Sequence, residues 1–523
     1  MEQRRLLLAF ALSLGLLWVY QQFVLRKYPQ HPGPSSPLAE QGQPAPTTSP
    51  SAAAPAPVPP AFQAAVDTGE PVVVETDVLR ATLTTAGARL QSLELKGYQR
   101  TVAKDSPPLD LVQAAAVLPL TVALGDKSDA AVVYKPSVRE LEVHDGNAGD
   151  VVFSGDADGR HIEKRFHFSG DGYLFDVTAA VTGPGTPGAV GMLLTPLPLD
   201  TAGGGRTPGR ENAIGFTPPK LVEKAATDLA KQTLTFDGAT WGGFAAQYFM
   251  TVAMPADGTG RVVMGVAGDL PIVRVDVPVQ DGQSRFVVFA GPKDRNMLMS
   301  TGHDLVRAID FGWFWFIAIP LLSALRVLHA ALGNYGLAII ALTALVKLAT
   351  APLTQTTFRN MREMQKIQPQ MAKLRERYKD DAQALNKEMM ELYRRHRVNP
   401  FMGCLPMFLQ LPIFVGLYNA LLHSIELRHA PFVLWINDLS APDRLMVAGF
   451  GIPVLTLFMG ASMFLQQWLT PQQGDPTQQR MMMFMPLVFT VTFLNFPAGL
   501  VLYWLVNNVL TIGQQYLNLR SAP

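Results

Sequence analysis

The stretch IIALTALVKLATAPL, residues 339–353, is an apolar run of membrane-helix character with one lysine, Lys347, set into it. A charged side chain near the middle of a bilayer helix costs roughly 2.5 to 3.5 kcal/mol on insertion scales, so an intramembrane lysine marks a functional position by default. Thr343 stands one turn earlier on the same face and Thr350 three residues later. Snorkelling of the long stem toward the headgroups is the competing reading of Lys347.

Working outward, the chain of 523 residues is 48% hydrophobic and only 16% charged, poor in charge for a soluble protein. Its net charge of +1 hides an uneven distribution, and a single cysteine, Cys404, excludes an internal disulfide and any cysteine-based metal site. Beyond residue 300 five spans are expected, at about 335–353, 401–422, 445–468, 481–496 and 498–519. The last two are joined by NFPAG and form a tight hairpin; their apolar stretches are shorter than the ~30 Å hydrocarbon core, which local thinning of the bilayer would meet.

The segment between the first two spans holds 11 Lys/Arg against 6 Asp/Glu over residues 354–399, which places it in the cytoplasm. Within it, residues 355–399 read as a helical hairpin with a methionine-rich stripe that includes Met361, Met364, Met371 and Met389. Mutual packing of the two helices is the plainer explanation of that stripe. At the N-terminus, residues 1–28 read as an uncleaved transmembrane anchor with Arg4 and Arg5 on the cytoplasmic side, a cleaved signal peptide being the alternative. Residues 29–70 read as a Pro/Ala-rich disordered linker.

From 71 to 300 short alternating runs split by Gly, Pro and Asp predict an antiparallel β-sandwich outside the membrane. The stretch RHIEKRFHF offers His161 with Glu163, or His167, as the candidate pair of a membrane-tethered enzyme, although surface alternation explains the same pattern. Counting spans from a cytoplasmic N-terminus leaves 301–333 outside, with 310–333 lying in the outer interface through Trp313 and Trp315.

Polar groups recur in the other spans: Gln410, Tyr418 and Asn419 in 401–422, and Trp504, Asn508, Thr511 and Gln515 at spacings of 4, 3 and 4 along one face of 498–519. Each alone fits ordinary interhelical hydrogen bonding. Together with Lys347 they read as the wall of a hydrated groove. A secondary transporter would also use an intramembrane cation, but the five spans show no matching halves.

LVKLATAPLT, LQLPIFVGLYNAL, VNPFMGCLPM and FPAGLVLYWLVNN, behind an anchor and a β-rich external domain, resemble the YidC family of bacterial membrane protein insertases in its Gram-negative form. The resemblance implies a multi-domain membrane protein: a periplasmic β-sandwich and a five-span α-helical core enclosing a hydrophilic groove open to cytoplasm and lipid. The implied place is the bacterial inner membrane, multi-pass, with both termini cytoplasmic. The family's groove cation, usually arginine, falls on Lys347, its groove threonine on Thr343 and its substrate-contacting aromatic on Trp504, where tyrosine is common. The implied role is insertion and chaperoning of newly made proteins, alone or with the Sec translocon. Implied partners are small nascent membrane proteins such as F-type ATPase subunit c, the ribosome, the signal recognition particle receptor and membrane lipids. No catalytic residue, cofactor or metal is expected.

Overall fold

The computed structural model describes residues 69–112, 117–125, 127–198, 211–379, 381–396, 398–399, 405–469 and 476–520. The expected anchor at 1–28 and all but the end of the linker at 29–70 lie outside the described residues. So does Cys404, and in the helix that contains Met361 that side chain is likewise outside them.

The β region carries a nine-stranded and a six-stranded sheet, both antiparallel throughout, and a five-stranded sheet. In the five-stranded sheet Pro71–Glu75 pairs in parallel with Glu140–Glu142, a departure from the all-antiparallel expectation. Residues from all three sheets share one apolar core that includes Val74, Phe153, Phe166, Val275 and Phe286. Each such aromatic removes 150–250 Å² from water, at roughly 25 cal/mol per Å² of apolar area.

Strict alternation explains the strand Arg160–Ser169. Ile162, Phe166 and Phe168 are buried, while His161, Arg165 and His167 point out. His161 and His167 pair with Asp156 and Asp150 of the adjoining strand at 2.9 and 2.6 Å, which makes them cross-strand surface contacts. Alternation also turns Lys164 inward, where it is wholly buried. Its ammonium pairs with Asp129 at 2.6 Å and donates to the carbonyls of Gly87, Leu120 and Ala88 at 2.7, 3.0 and 3.3 Å. Tyr134 donates its hydroxyl to the same carboxylate at 3.1 Å. Burial pushes the Lys164 ammonium below its ordinary pKa, and Asp129 opposes that shift.

Eight α-helices follow among the described residues: α1 Arg295–Ser300, α2 Trp315–Leu332, α3 Tyr335–Arg377, α4 Ala382–Arg395, α5 Leu405–Leu422, α6 Val454–Leu469, α7 Pro476–Phe493 and α8 Ala498–Arg520. The Asn334 side chain caps α3 by accepting from the Leu337 amide at 3.1 Å. Expected as a span followed by a separate hairpin arm, α3 is one continuous helix of 43 residues. The Asp381 carboxylate then caps α4. Met364, Ile367, Leu392 and Val398 close a small core between α3 and α4.

α2 binds the β region rather than standing free. Its Ala318 and Leu322 belong to the same buried cluster as Trp241, Met250 and Phe289 of the nine-stranded sheet. Arg326 of α2 completes the joint, donating to Glu426 at 2.6 Å and to Asp294 at 3.2 Å.

One expected helical segment is something else. Residues 445–452, assigned above to the span 445–468, form a two-stranded hairpin in which Leu445–Val447 pairs with Phe450–Ile452. Ala448 and Gly449 turn it with φ of 50° and 85°, as a two-residue hairpin loop requires, and α6 begins only after Pro453. Asp443 fixes the start of α6 by accepting from the Leu455 and Thr456 amides.

α6 and α7 meet at Gly460, where a methyl group would fall on the Thr490 hydroxyl. We expect Gly460→Val to destabilise the helical core by about 1–3 kcal/mol, read as a lower midpoint in thermal unfolding in detergent; Gly460→Ala should cost less.

Candidate functional site

α3 and α8 pack side by side, and Lys347 lies half-buried on the face of α3 toward α8. Its ammonium donates to the Thr511 hydroxyl at 2.7 Å and to the Asn507 side-chain oxygen at 3.3 Å. The Thr511 hydroxyl itself donates to the Asn507 carbonyl at 2.6 Å, one turn back, which orients its lone pairs to the lysine. Among the described residues Lys347 forms no ion pair; neutral oxygens solvate it. Such a cation keeps an outward positive potential, which a carboxylate partner would cancel.

Thr343 is buried, and its hydroxyl donates to the Ile339 carbonyl at 2.6 Å, within its own helix. Thr350 does the same toward Val346 at 3.0 Å. Backbone bonding of this kind leaves a threonine little capacity to donate to a third party.

The polar face expected on α8 divides. Thr511 meets Lys347, whereas Asn508 donates to Ser462 of α6 at 2.9 Å and Gln515 donates to the Leu469 carbonyl at 3.3 Å, both residues being buried. Trp504 sits between, edge-on to Phe414 of α5 at 4.6 Å and beside Phe489 and Phe493 of α7 at 5.8 and 5.2 Å. Tyr418 continues this aromatic set, 6.4 Å from Phe414 and 5.9 Å from Phe496. Gln410 donates to the Tyr503 hydroxyl at 2.6 Å and so joins α5 to α8.

Asn419 lies elsewhere. Its amide donates to the Phe311 carbonyl at 3.0 Å, tying the end of α5 to the segment that precedes α2. Gly312 adopts φ of 68° beside it, and a Cβ there would stand 2.8 Å from the Asn419 amide nitrogen.

The structure thus brings Lys347 and Thr511 together, gathers Trp504 and Tyr418 into an aromatic wall, sets Asn508, Gln515 and Thr343 in helix-to-helix or intrahelical bonds, and ties Asn419 to the segment before α2. Asn507 was missed from sequence. Its signal was present: it precedes Thr511 by one turn. In the α3–α4 hairpin Met364 is buried and Met371 packs against the same small core, while Met389 is half-buried outside it and Met390 is exposed. Two of the expected docking methionines therefore hold the hairpin together.

Residues 71–324 match the family described as YidC periplasmic domain, and residues 327–522 match that described as 60Kd inner membrane protein. The chain is 39% identical to the membrane protein insertase YidC of Nitratidesulfovibrio vulgaris (strain DP4), with 100% of each covered. Against that of Geobacter sulfurreducens it is 40% identical over 86% of each. A solved structure of an active YidC insertase with its first transmembrane domain resolved covers 87% of this chain and 94% of its own, at 18% identity and a TM-score of 0.38. The chain belongs to the YidC family of inner membrane proteins.

Proposed function

We propose that this protein inserts newly made proteins into the bacterial inner membrane, using the α3–α8 face around Lys347 as a wet, positively charged groove. The observation that carries the reading is the solvation of Lys347 by Thr511 and Asn507 and by no carboxylate among the described residues. A half-buried cation with two neutral oxygens and no counter-charge favours a place that water or a transient anion can also reach.

The topology that goes with it has five core spans, α3 and α5 to α8, behind an N-terminal anchor, with the β region and α2 outside. The α3–α4 hairpin faces the cytoplasm, as do both termini. α2 is 18 residues long and apolar enough to cross a bilayer by length and composition alone. Its attachment to the nine-stranded sheet favours a position flat on the outer surface instead.

A nascent chain would dock on the hairpin, where Met389 and Met390 offer adaptable apolar contact. Its hydrophilic tail would then enter beside Lys347. The apolar segment would leave along the Trp504–Tyr418 wall into lipid, driven at roughly 25 cal/mol per Å² of apolar area. Small substrates of the F-type ATPase subunit c kind, the Sec translocon, the ribosome and the signal recognition particle receptor are the partners this reading admits. The secondary-transporter alternative draws no support from the family matches or from the relatives named above.

Stalled nascent chains provide the test. With a photo-crosslinking residue in place of Lys347, Tyr418 or Trp504, we expect adducts to an inserting segment at all three positions and none at Asp257 of the β region. Absence of adducts at both 347 and 504 would overturn the proposal.

A further inference from the structure

The hairpin at 445–452 has no core of its own. Met446 and Phe450 are 66% and 76% exposed, Val447 and Ile452 are also exposed, and only three residue pairs hold the strands together. An isolated two-stranded hairpin of this length is marginal in water even with a polar surface. This one bears no charge, and none occurs between Leu445 and Leu469. Yet its base is built firmly. Asp443 is buried, accepts from the Trp435 indole at 2.6 Å and caps α6. Arg444 donates to Asn495 at 3.1 Å and packs along Gly451. A protrusion anchored so securely and left apolar on both faces requires a cover.

α6 indicates what the cover is. It has only 16 residues, about 24 Å at ~1.5 Å per residue, against a hydrocarbon core of ~30 Å. Its outward side chains Leu457, Phe458, Phe464 and Leu465 are exposed, and Trp468 is exposed near its far end, the position of an interfacial anchor. Only Pro453 separates the bare apolar hairpin from the first residue of α6, and the bare apolar surface resumes one turn into that helix at Leu457 and Phe458. We infer that residues 445–452 lie in the outer leaflet at the headgroup–acyl boundary and extend the short α6 span to full membrane thickness. The occupant of this surface is lipid. The depth is bounded from both sides: unpaired strand edges are excluded from deep hydrocarbon, and four adjacent bare apolar side chains are disfavoured in water. Arg444 at the base then sits level with the phosphates. The assignment to the outer leaflet rests on the topology proposed above.

The test uses the full chain with Cys404→Ser, reconstituted into phosphatidylethanolamine–phosphatidylglycerol vesicles. Spin labels are placed singly at Met446→Cys, Val447→Cys and Phe450→Cys, with Leu457→Cys on α6 and Asp257→Cys in the β region as references. The ratio of collision with oxygen to collision with a water-soluble nickel chelate is read at each. We expect the three hairpin positions to give ratios several-fold above Asp257 and just below Leu457. Ratios equal to that of Asp257, beside a lipid-like Leu457, would place the hairpin in water and overturn the inference alone. Low collision with both reagents would mean a protein cover, a second copy or another partner, and would overturn it too. A water-like Leu457, or an Asp257→Cys that an impermeant thiol reagent fails to reach from outside spheroplasts, would instead bring down the span or orientation reading beneath it.

Discussion

Replacing Lys347 by alanine is expected to slow insertion of substrates with acidic translocated tails by about ten- to a hundredfold, while arginine at the same position preserves it. A carboxylate passing within ~6 Å of the ammonium gains about 1.4–2.8 kcal/mol at an effective dielectric of 20–40, and each ~1.4 kcal/mol is tenfold in rate. Lys347→Ala removes that gain and leaves Thr511 and Asn507 to bond each other or water. Arginine keeps the charge, with a planar fork that still meets both oxygens. Substrates with uncharged tails should lose far less. Protease protection of the translocated tail in cells depleted of the native protein measures all of these. Equal protection with alanine and lysine would refute the charge role.

The second large effect concerns stability. Lys164→Met should destabilise the β region by about 3–5 kcal/mol, because Asp129 is left buried with Tyr134 as its remaining side-chain donor. A domain's entire margin is only about 5–15 kcal/mol. The double change Lys164→Met with Asp129→Leu should recover much of the loss, since an apolar pair of similar volume is often as stable as the ion pair it replaces. Proteolysis of the full chain in graded urea, following the β-region fragment, reads the order wild type, double variant, single variant. A single variant as stable as wild type would mean that water reaches Asp129.

Periodicity carried much of the architecture. Alternation in RHIEKRFHF gives both the strand and the outward pairing of His161 and His167. The same alternation faces Lys164 inward, but nothing nearby in sequence names Asp129, 35 residues away, as its partner. The apolar run at 339–353 identifies the lysine-bearing helix directly. The hairpin at 445–452 escaped because LMV and FGI are as apolar as a helix would be. Only Gly449, Gly451 and Pro453 argue against a helix there, and glycine is frequent in membrane helices.

The polar stripe of α8 was legible as a stripe and not as two interfaces. At ~100° per residue Thr511 and Asn508 lie roughly 60° apart, enough to send one toward α3 and the other toward α6. A single-helix projection cannot say where the seam between neighbours falls. Asn507 belongs to the α3 side of that seam for the same reason.

On the proposed mechanism, water from the cytoplasm reaches the oxygens around Lys347. In a Cys404→Ser background, Thr511→Cys should react in inverted membrane vesicles with a charged, membrane-impermeant thiol reagent, and Lys347 should speed the reaction by favouring the thiolate. Reaction only with an uncharged, membrane-permeant maleimide would show the α3–α8 contact to be dry, and would contradict the account.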